Sequence, residues 1–82
     1  MLDVLYFAWV RERIGLPHER LETSAVTVSD LIAELSAREE RYALAFSDLR
    51  SLRVALDQKL SSFDAPLAGV REVAFFPPMT GG

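Results

Sequence analysis

Residues 27–35 read TVSDLIAEL, and the helix that they predict determines where the rest of the 82-residue chain must pack. Four apolar residues fall at positions i, i+3, i+4 and i+7, which is typical of one face of an amphipathic helix: Val28, Leu31, Ile32 and Leu35. Thr27 can cap this helix, because Asp30 occupies the capping-box position three residues later. We expect Val26 to pack against Leu31 as a hydrophobic staple. The stretch therefore predicts one main helix with a buried apolar stripe.

The chain before this helix predicts two strands. Residues 2–9 are rich in β-branched and aromatic side chains and indicate a first strand. Alternation assigns one face of it to Asp3, Leu5 and Phe7, and the other to Val4, Tyr6 and Ala8. Residues 10–14 predict a short helical turn that ends at Gly15 and Pro17. Residues 15–19 then form a turn, and residues 20–23 pair back as a second short strand.

The chain after the helix predicts two more strands. The charged residues 38–41 are expected to form a solvated helix end, and residues 42–46 one further helical turn. Residues 52–57 alternate as a third strand with Leu52, Val54 and Leu56 facing inward. A loop that contains Leu60 and Ser61 follows. Residues 72–76 form the last strand, in which Val73 and Phe75 face inward while Ala74 and Phe76 share the outer face with Glu72.

The predicted order is β-β-α-β-β, with the helix crossing over one face of the sheet. This is the pattern of an α+β, β-grasp (ubiquitin-like) domain, in which one main helix packs on one face of a mixed sheet. We assign residues 1–76 to that domain and residues 77–82 to a flexible C-terminal tail that ends in Gly-Gly.

Composition argues against several classes of function. The formal net charge of −3 argues against nucleic acid as a partner, because phosphate binding needs a basic patch. No apolar run approaches the ~20 residues that span a bilayer, and no signal peptide is recognisable, so we expect a cytoplasmic protein. The chain has no cysteine and one histidine, His18, which we expect to be an exposed turn residue. We therefore predict no metal site and no cofactor bound by the chain itself.

The C-terminal segment, residues 75–82, reads FFPPMTGG and is the candidate functional element. Phe76 precedes a proline and should be extended. Pro77 and Pro78 lack a backbone N–H, so they end the strand pairing and form a stiff stem. Gly81 and Gly82 make a thin tip that can enter a narrow pocket, with a carboxylate as the reactive group. A frayed terminus or a cloning remnant is the alternative interpretation of a final Gly-Gly taken alone.

Three segments resemble the small subunit of molybdopterin synthase, the MoaD-type sulfur carriers of the ubiquitin-like family: VLYFAWVRE at 4–12, LSSFDAPL at 60–67 and EVAFFPPMTGG at 72–82. The resemblance implies that an ATP-using activating enzyme, related to the ubiquitin activators, adenylates Gly82. Sulfur from a donor protein then converts the acyl-adenylate to a thiocarboxylate. The tail, made of Pro77, Pro78, Met79, Thr80 and Gly81, inserts into the large subunit, where sulfur passes to cyclic pyranopterin monophosphate.

The same resemblance implies a non-catalytic carrier subunit of a heterotetramer of two small and two large subunits, with the acid–base residues on the large subunit. It favours partner binding through the sheet face away from the helix, where Phe7, Leu60 and Phe76 are expected near Ala55 and Ala74. The chain departs from the family at residues 68–71, which read AGVR where Asp-Gly-Asp is common, and at Asp57, where Asn is frequent. Two alternatives remain: a sulfur carrier for thiamin or another product, and a ubiquitin-like interaction module whose tail is never activated.

Overall fold

The computed structural model describes residues 1–78, which form a five-stranded mixed sheet with helices packed against one face. The elements are β1 Leu2–Tyr6, α1 Ala8–Ile14, β2 His18–Leu21, α2 Val28–Arg38, α3 Glu40–Ala45, β3 Arg53–Leu56, β4 Lys59–Ser61 and β5 Glu72–Phe76. The strand order is β2-β1-β5-β3-β4, in which β1 and β5 are parallel and the other pairs antiparallel. The predicted β-grasp architecture is confirmed. No helix within the described range has the length and apolar character to cross a bilayer.

The main helix, α2, begins as the sequence predicts. The backbone N–H of Asp30 donates to Thr27 Oγ1, and the Thr27 N–H donates to Asp30 Oδ2, both at 3.2 Å, which completes the capping box. All four residues of the predicted stripe are buried. The predicted hydrophobic staple between Val26 and Leu31 is wrong, because Val26 is 68% exposed. Its carbonyl instead accepts from the Leu67 N–H at 2.9 Å, so Val26 holds the loop before β5 and leaves its side chain in solvent.

The first strand is shorter than predicted. β1 ends at Tyr6, and Phe7 is the N-cap of α1 rather than a strand residue. The Phe7 N–H still donates to Phe75 O at 3.1 Å, but Ala8 has a φ of 52°, so the chain turns there into the helix. The predicted helix end is confirmed, since Gly15 adopts the left-handed conformation at φ 89° and donates to Arg11 O. His18 lies in β2, which starts two residues before the predicted strand.

A fifth strand, β4, occupies the segment that the sequence assigned to a loop. Leu60 is therefore a strand residue paired with Ala55, and the prediction that placed it in a loop is wrong. Asp57 and Gln58 connect β3 to β4, with φ values of 48° and 71°. Two successive positive φ values define the type I′ turn, whose twist suits a two-residue hairpin. A three-residue strand is too short to carry a periodic signal, so the pattern could not predict it.

Both departures from the family pattern have a place in the fold. Gly69 adopts a φ of 78° and the Val70 N–H donates to Leu67 O at 3.0 Å, which makes a tight turn in residues 67–70. The Asp57 carboxylate accepts from the backbone N–H groups of Arg71 and Glu72, each at 3.0 Å. Asp57 thus ties the β3–β4 hairpin to the start of β5.

The core lies between the sheet and the helices. Phe75 of β5 is at its centre, stacked on Tyr6 at a ring-centroid distance of 6.2 Å and meeting Phe46 edge-on at 4.9 Å. Alternation in β1, β3 and β5 gives the remaining sheet contribution, as predicted: Val4, Val54, Leu56 and Val73. The helices cover these residues with Val10, Ile14, Val28, Leu31, Ile32, Leu35 and Tyr42.

A polar network at the edge of this core was not predicted. Glu19 Oε2 accepts hydrogen bonds from the hydroxyls of Tyr6 at 2.8 Å and Tyr42 at 2.5 Å, while Oε1 lies 3.5 Å from Arg38. The Arg41 guanidinium donates to Ile14 O at 2.8 Å, which joins α3 to the end of α1. The charged run 38–41 is therefore not simply a solvated helix end. Its arginines tie β2 and α1 to the helical layer.

Leu31→Ala should destabilise the protein by ~2–5 kcal/mol, because it removes a fully buried side chain and leaves a cavity. That is a large share of the ~5–15 kcal/mol that stabilises a typical domain. Urea unfolding followed by circular dichroism measures the change. Val26→Ala is the matched control, since Val26 is exposed and should leave the midpoint unmoved. An unchanged midpoint for Leu31→Ala would contradict the helix packing.

Stability should fall at alkaline pH. Burial, together with the hydrogen bond to Glu19, raises the pKa of Tyr42 from 10.0 to about 12, and the same causes raise the pKa of Tyr6. A pKa raised in the folded state gives stability that is complete below the unfolded pKa and is lost as pH rises towards the folded pKa. The urea midpoint should therefore drop between about pH 10 and about pH 12. Tyr42→Phe should make this drop shallower, and an identical profile in that variant would refute the assignment.

Candidate functional site

The C-terminal tail leaves the domain from the middle of the sheet. β5 pairs with β1 on one side and β3 on the other, in a register that sets Phe75 beside Tyr6 and Phe76 beside Arg53. Two neighbours therefore fix the position of the last strand residue. Pro77 and Pro78 follow outside the strand and are half-buried. The predicted tail residues Met79, Thr80, Gly81 and Gly82 lie outside the described residues.

The prolines explain why the pairing stops where it does. Without a backbone N–H, neither Pro77 nor Pro78 can donate to a neighbouring strand. The antiparallel β3–β5 pairing accordingly reaches Phe76 and goes no further. The stem of the tail thus begins at a defined point, directly beyond a strand that is held on both sides.

The sheet face away from the helices is apolar along one row of paired residues. From β4 to β1 this row runs through Leu60, Ala55, Ala74 and Leu5. Leu60 is 72% exposed, whereas Ala74 is buried between its neighbours. Two small alanine side chains lie at the centre of the row, with a leucine at each end. We call this row, together with Phe7 and Phe76, the open face.

Phe7 and Phe76 stand at the end of the open face from which the tail leaves. The parallel register pairs Tyr6 with Phe75, so the next residue on each chain falls side by side. Phe7 is 47% exposed, and Phe76 is half-buried. Sequence reasoning predicted that these aromatics would approach each other on the face opposite the helix, and the register sets their backbones side by side. Leu60 lies across the sheet from them, on the edge strand.

The charged end of this face lies at the opposite side. Asp3 Oδ1 accepts from Arg20 Nε at 3.0 Å and lies 3.5 Å from His18 Nε2. The Arg20 hydrogen bond lowers the pKa of Asp3, so this carboxylate stays ionised. His18 is exposed on the edge strand β2. Among residues 1–78 no three potential ligands come close enough to hold a metal ion.

Arg53 is a residue of this surface that sequence reasoning did not single out. It is exposed on β3, directly beside Phe76, and its Nη1 donates to Leu52 O at 2.8 Å. Its alternation with the buried Val54 assigned it to the outer face, but only the pairing of β3 with β5 sets it at the root of the tail. The arrangement gives an apolar surface with one basic group around the point at which β5 ends and the tail begins.

Comparison with known proteins identifies the family. The model of the ThiS family matches residues 4–82. The molybdopterin synthase sulfur carrier subunit of Escherichia coli is 45% identical over 82 residues, which is all of both chains. Among solved structures, SAMP1 from Haloferax volcanii superposes with a TM-score of 0.76 at 22% identity, covering 99% of this chain and 98% of that one.

A solved protein of Pyrococcus furiosus, named as molybdopterin converting factor, subunit 1, has a TM-score of 0.70 at 26% identity. The match covers 95% of this chain and 97% of that chain. The Haloferax structure, at lower identity, supports the fold alone. The family model and the full-length relative agree on a single assignment. The chain described here belongs to the ThiS/MoaD family and has the β-grasp fold.

Proposed function

We propose that this protein is the sulfur carrier subunit of a molybdopterin synthase. The observation that carries the proposal is identity of 45% along the whole length of the Escherichia coli subunit of that name. The structure supports it, because β5 is paired on both sides up to Phe76, directly before the tail. The ThiS family model alone would also suit a carrier for thiamin or another sulfur-containing product. The full-length relative favours the molybdopterin pathway.

The chemistry that we propose takes place at the terminal carboxylate of Gly82. A carboxylate is a poor electrophile, so the activating enzyme uses ATP to form an acyl-adenylate with release of pyrophosphate. Sulfur at the oxidation level of hydrosulfide, released by a donor protein, then attacks the carbonyl carbon and displaces AMP, which leaves a thiocarboxylate. On the large subunit this sulfur passes to cyclic pyranopterin monophosphate, and hydrolysis returns the carboxylate. ATP belongs to the activating enzyme, and this chain alone need bind no cofactor.

In this proposal the carrier contributes binding and orientation rather than acid–base groups. Six tail residues, 77–82, reach at most ~20 Å from the end of β5 when extended. That length lets the folded domain stay outside a pocket whose floor holds the reacting groups. Docking of the open face fixes where the tail enters, which converts sulfur transfer into a reaction between positioned partners. The general acids and bases then come from the partner subunit.

The partners follow from these steps. A large subunit accepts the charged tail, and we propose a heterotetramer of two small and two large subunits. An adenylating enzyme of the ubiquitin-activator type and a sulfur donor protein load it. We expect these encounters in the cytoplasm, where ATP is available. The competing function is that of an interaction module whose tail is never activated. Formation of a thiocarboxylate at Gly82 would distinguish a sulfur carrier from such a module.

Deleting Gly82 should abolish thiocarboxylate formation and sulfur transfer while leaving stability nearly unchanged, because the last residue lies beyond the final strand. Mass spectrometry after incubation with the activating enzyme, ATP and the sulfur donor detects loading, since sulfur replaces oxygen. The intact chain is the positive control. Continued sulfur transfer by the deletion variant would overturn the carrier function.

Phe76→Ala should weaken binding to the large subunit by ~2 kcal/mol or more, because aromatic anchors near the centre of an interface dominate its affinity. Phe7→Ala and Leu60→Ala should weaken it less, as both lie nearer the edge of the open face. Leu44→Ala is the matched control: Leu44 is 57% exposed but belongs to α3, on the other side of the sheet. Titration calorimetry with the purified large subunit gives the affinities. Wild-type affinity for all three variants would place docking elsewhere.

A further inference from the structure

Charge is unevenly distributed between the two ends of the sheet. The chain as a whole has a formal net charge of −3. Yet the end from which the tail leaves is basic, because four arginines there outnumber two carboxylates. The arginines lie on α1, on the turn before β3 and at the start of β3: Arg11, Arg13, Arg50 and Arg53. The carboxylates are those of Glu12 and Asp48. The opposite end of the sheet carries Asp3, Asp57 and Glu72, but Arg20 and Arg71 lie beside them and offset most of that negative charge. The molecule therefore presents a positive end around its tail.

Arg53 is the arginine best placed to bind a partner. Its Nη1 donates to two backbone carbonyls, Leu52 O at 2.8 Å and Arg50 O at 3.5 Å. These contacts orient the guanidinium without neutralising it, because carbonyl groups carry no net charge. Among the described residues Arg53 has no carboxylate within ion-pair distance. The rest of its donors remain free for a ligand.

The neighbouring arginines differ from Arg53 in their contacts. Arg50 already pairs with Asp48, with Nε at 3.0 Å from Oδ1, and this hydrogen bond lowers the pKa of Asp48. Arg13 lies over the Trp9 ring, 5.0 Å from its centroid, beside an open groove of about 460 Å³. Arg53 alone combines an uncompensated charge with a position next to Phe76, in the apolar part of the open face.

We propose that Arg53 binds a carboxylate side chain of the large subunit and thereby guides the carrier tail-first into its pocket. This inference rests on the proposed function, since it specifies the chemistry of the surface that receives the tail. A planar guanidinium with several donors suits a carboxylate, which it can bind through two parallel hydrogen bonds. The large subunit should accordingly carry an acidic residue at the mouth of its pocket, opposite the paired residues Arg53 and Phe76.

The net negative charge of the carrier does not prevent this attraction. The domain extends 33 Å along its longest axis, whereas charges in physiological salt are screened over ~8 Å. A partner surface near the tail therefore experiences mainly the arginines there, and little of the charges at the opposite end of the sheet. Charges placed in this way speed association and set orientation, while apolar contacts supply most of the affinity.

Charge reversal at the two ends of the open face tests the inference. Arg53→Glu and Arg71→Glu change the net charge equally, but Arg71 precedes β5 at the end far from the tail. Stopped-flow association with the purified large subunit should be about tenfold slower for Arg53→Glu at low salt, with a flatter salt dependence. Arg71→Glu should stay within about twofold of the wild type, because its charge is screened from the tail end. Arg53→Lys should keep the salt dependence but dissociate faster, since a lysine cannot form the two-bond contact.

The possible failures are distinguishable. If Arg53→Glu and Arg71→Glu slow association equally, Arg53 has no special role. The proposed function would remain intact as long as Phe76→Ala still weakens binding of the carrier to the large subunit. An Arg53→Lys variant that matches the wild type in both rates would reduce that role to charge alone and refute the two-bond contact. Absence of any binding between the wild-type carrier and the large subunit would refute the proposed function itself. Unfolding midpoints of the variants check that each is folded, as expected for an exposed side chain.

Discussion

The parallel pairing of β1 with β5 is the constraint on which the rest of this structure depends. It brings the two ends of the domain together, with Asp3 beside Glu72 and Tyr6 beside Phe75. Because β3 pairs with the other edge of β5, the last strand becomes the centre of the sheet rather than an exposed edge. A C-terminal strand is free to fray when it lies at an edge. Here it is held on both sides up to Phe76, so the tail starts from a fixed point.

The same pairing separates the two faces of the sheet by function. The inner face of β5 presents Val73 and Phe75 to the helices, and Phe75 packs against Tyr6 and Phe46. The outer face brings Ala74 and Phe76 beside Leu5 and Arg53. Stability therefore depends on one set of alternating residues and partner binding, as we propose it, on the other. The Glu19 network at the edge of the core also supports stability, since it joins β2 to the helical layer.

A carrier of this kind separates recognition from reactivity. The reacting group that we propose is a main-chain carboxylate, which any sequence possesses, so specificity must come from the surface that surrounds the tail root. Apolar side chains give that surface its affinity, and an oriented arginine gives it direction. Pro77 and Pro78 end the sheet before the tip begins, because neither has a backbone N–H with which to extend it. In our proposal the domain docks on the activating enzyme and the large subunit in turn and presents the same terminal carboxylate to each.

The sequence by itself determined the elements whose signals are local. The capping box and the i, i+3, i+4, i+7 stripe fixed α2, the alternation fixed the inward residues of β1, β3 and β5, and the prolines fixed the end of β5. The tertiary structure decided what depends on contacts distant in the chain. The three residues of β4 carry no pattern of their own and form a strand only because they pair with the free edge of β3. The sequence pattern therefore predicted a loop at Leu60. Glu19 gives no sign in the sequence that two tyrosines will bind it. Arg53 likewise reaches the root of the tail only because β3 pairs with β5, and such a register depends on the packing of the whole sheet rather than on neighbouring residues.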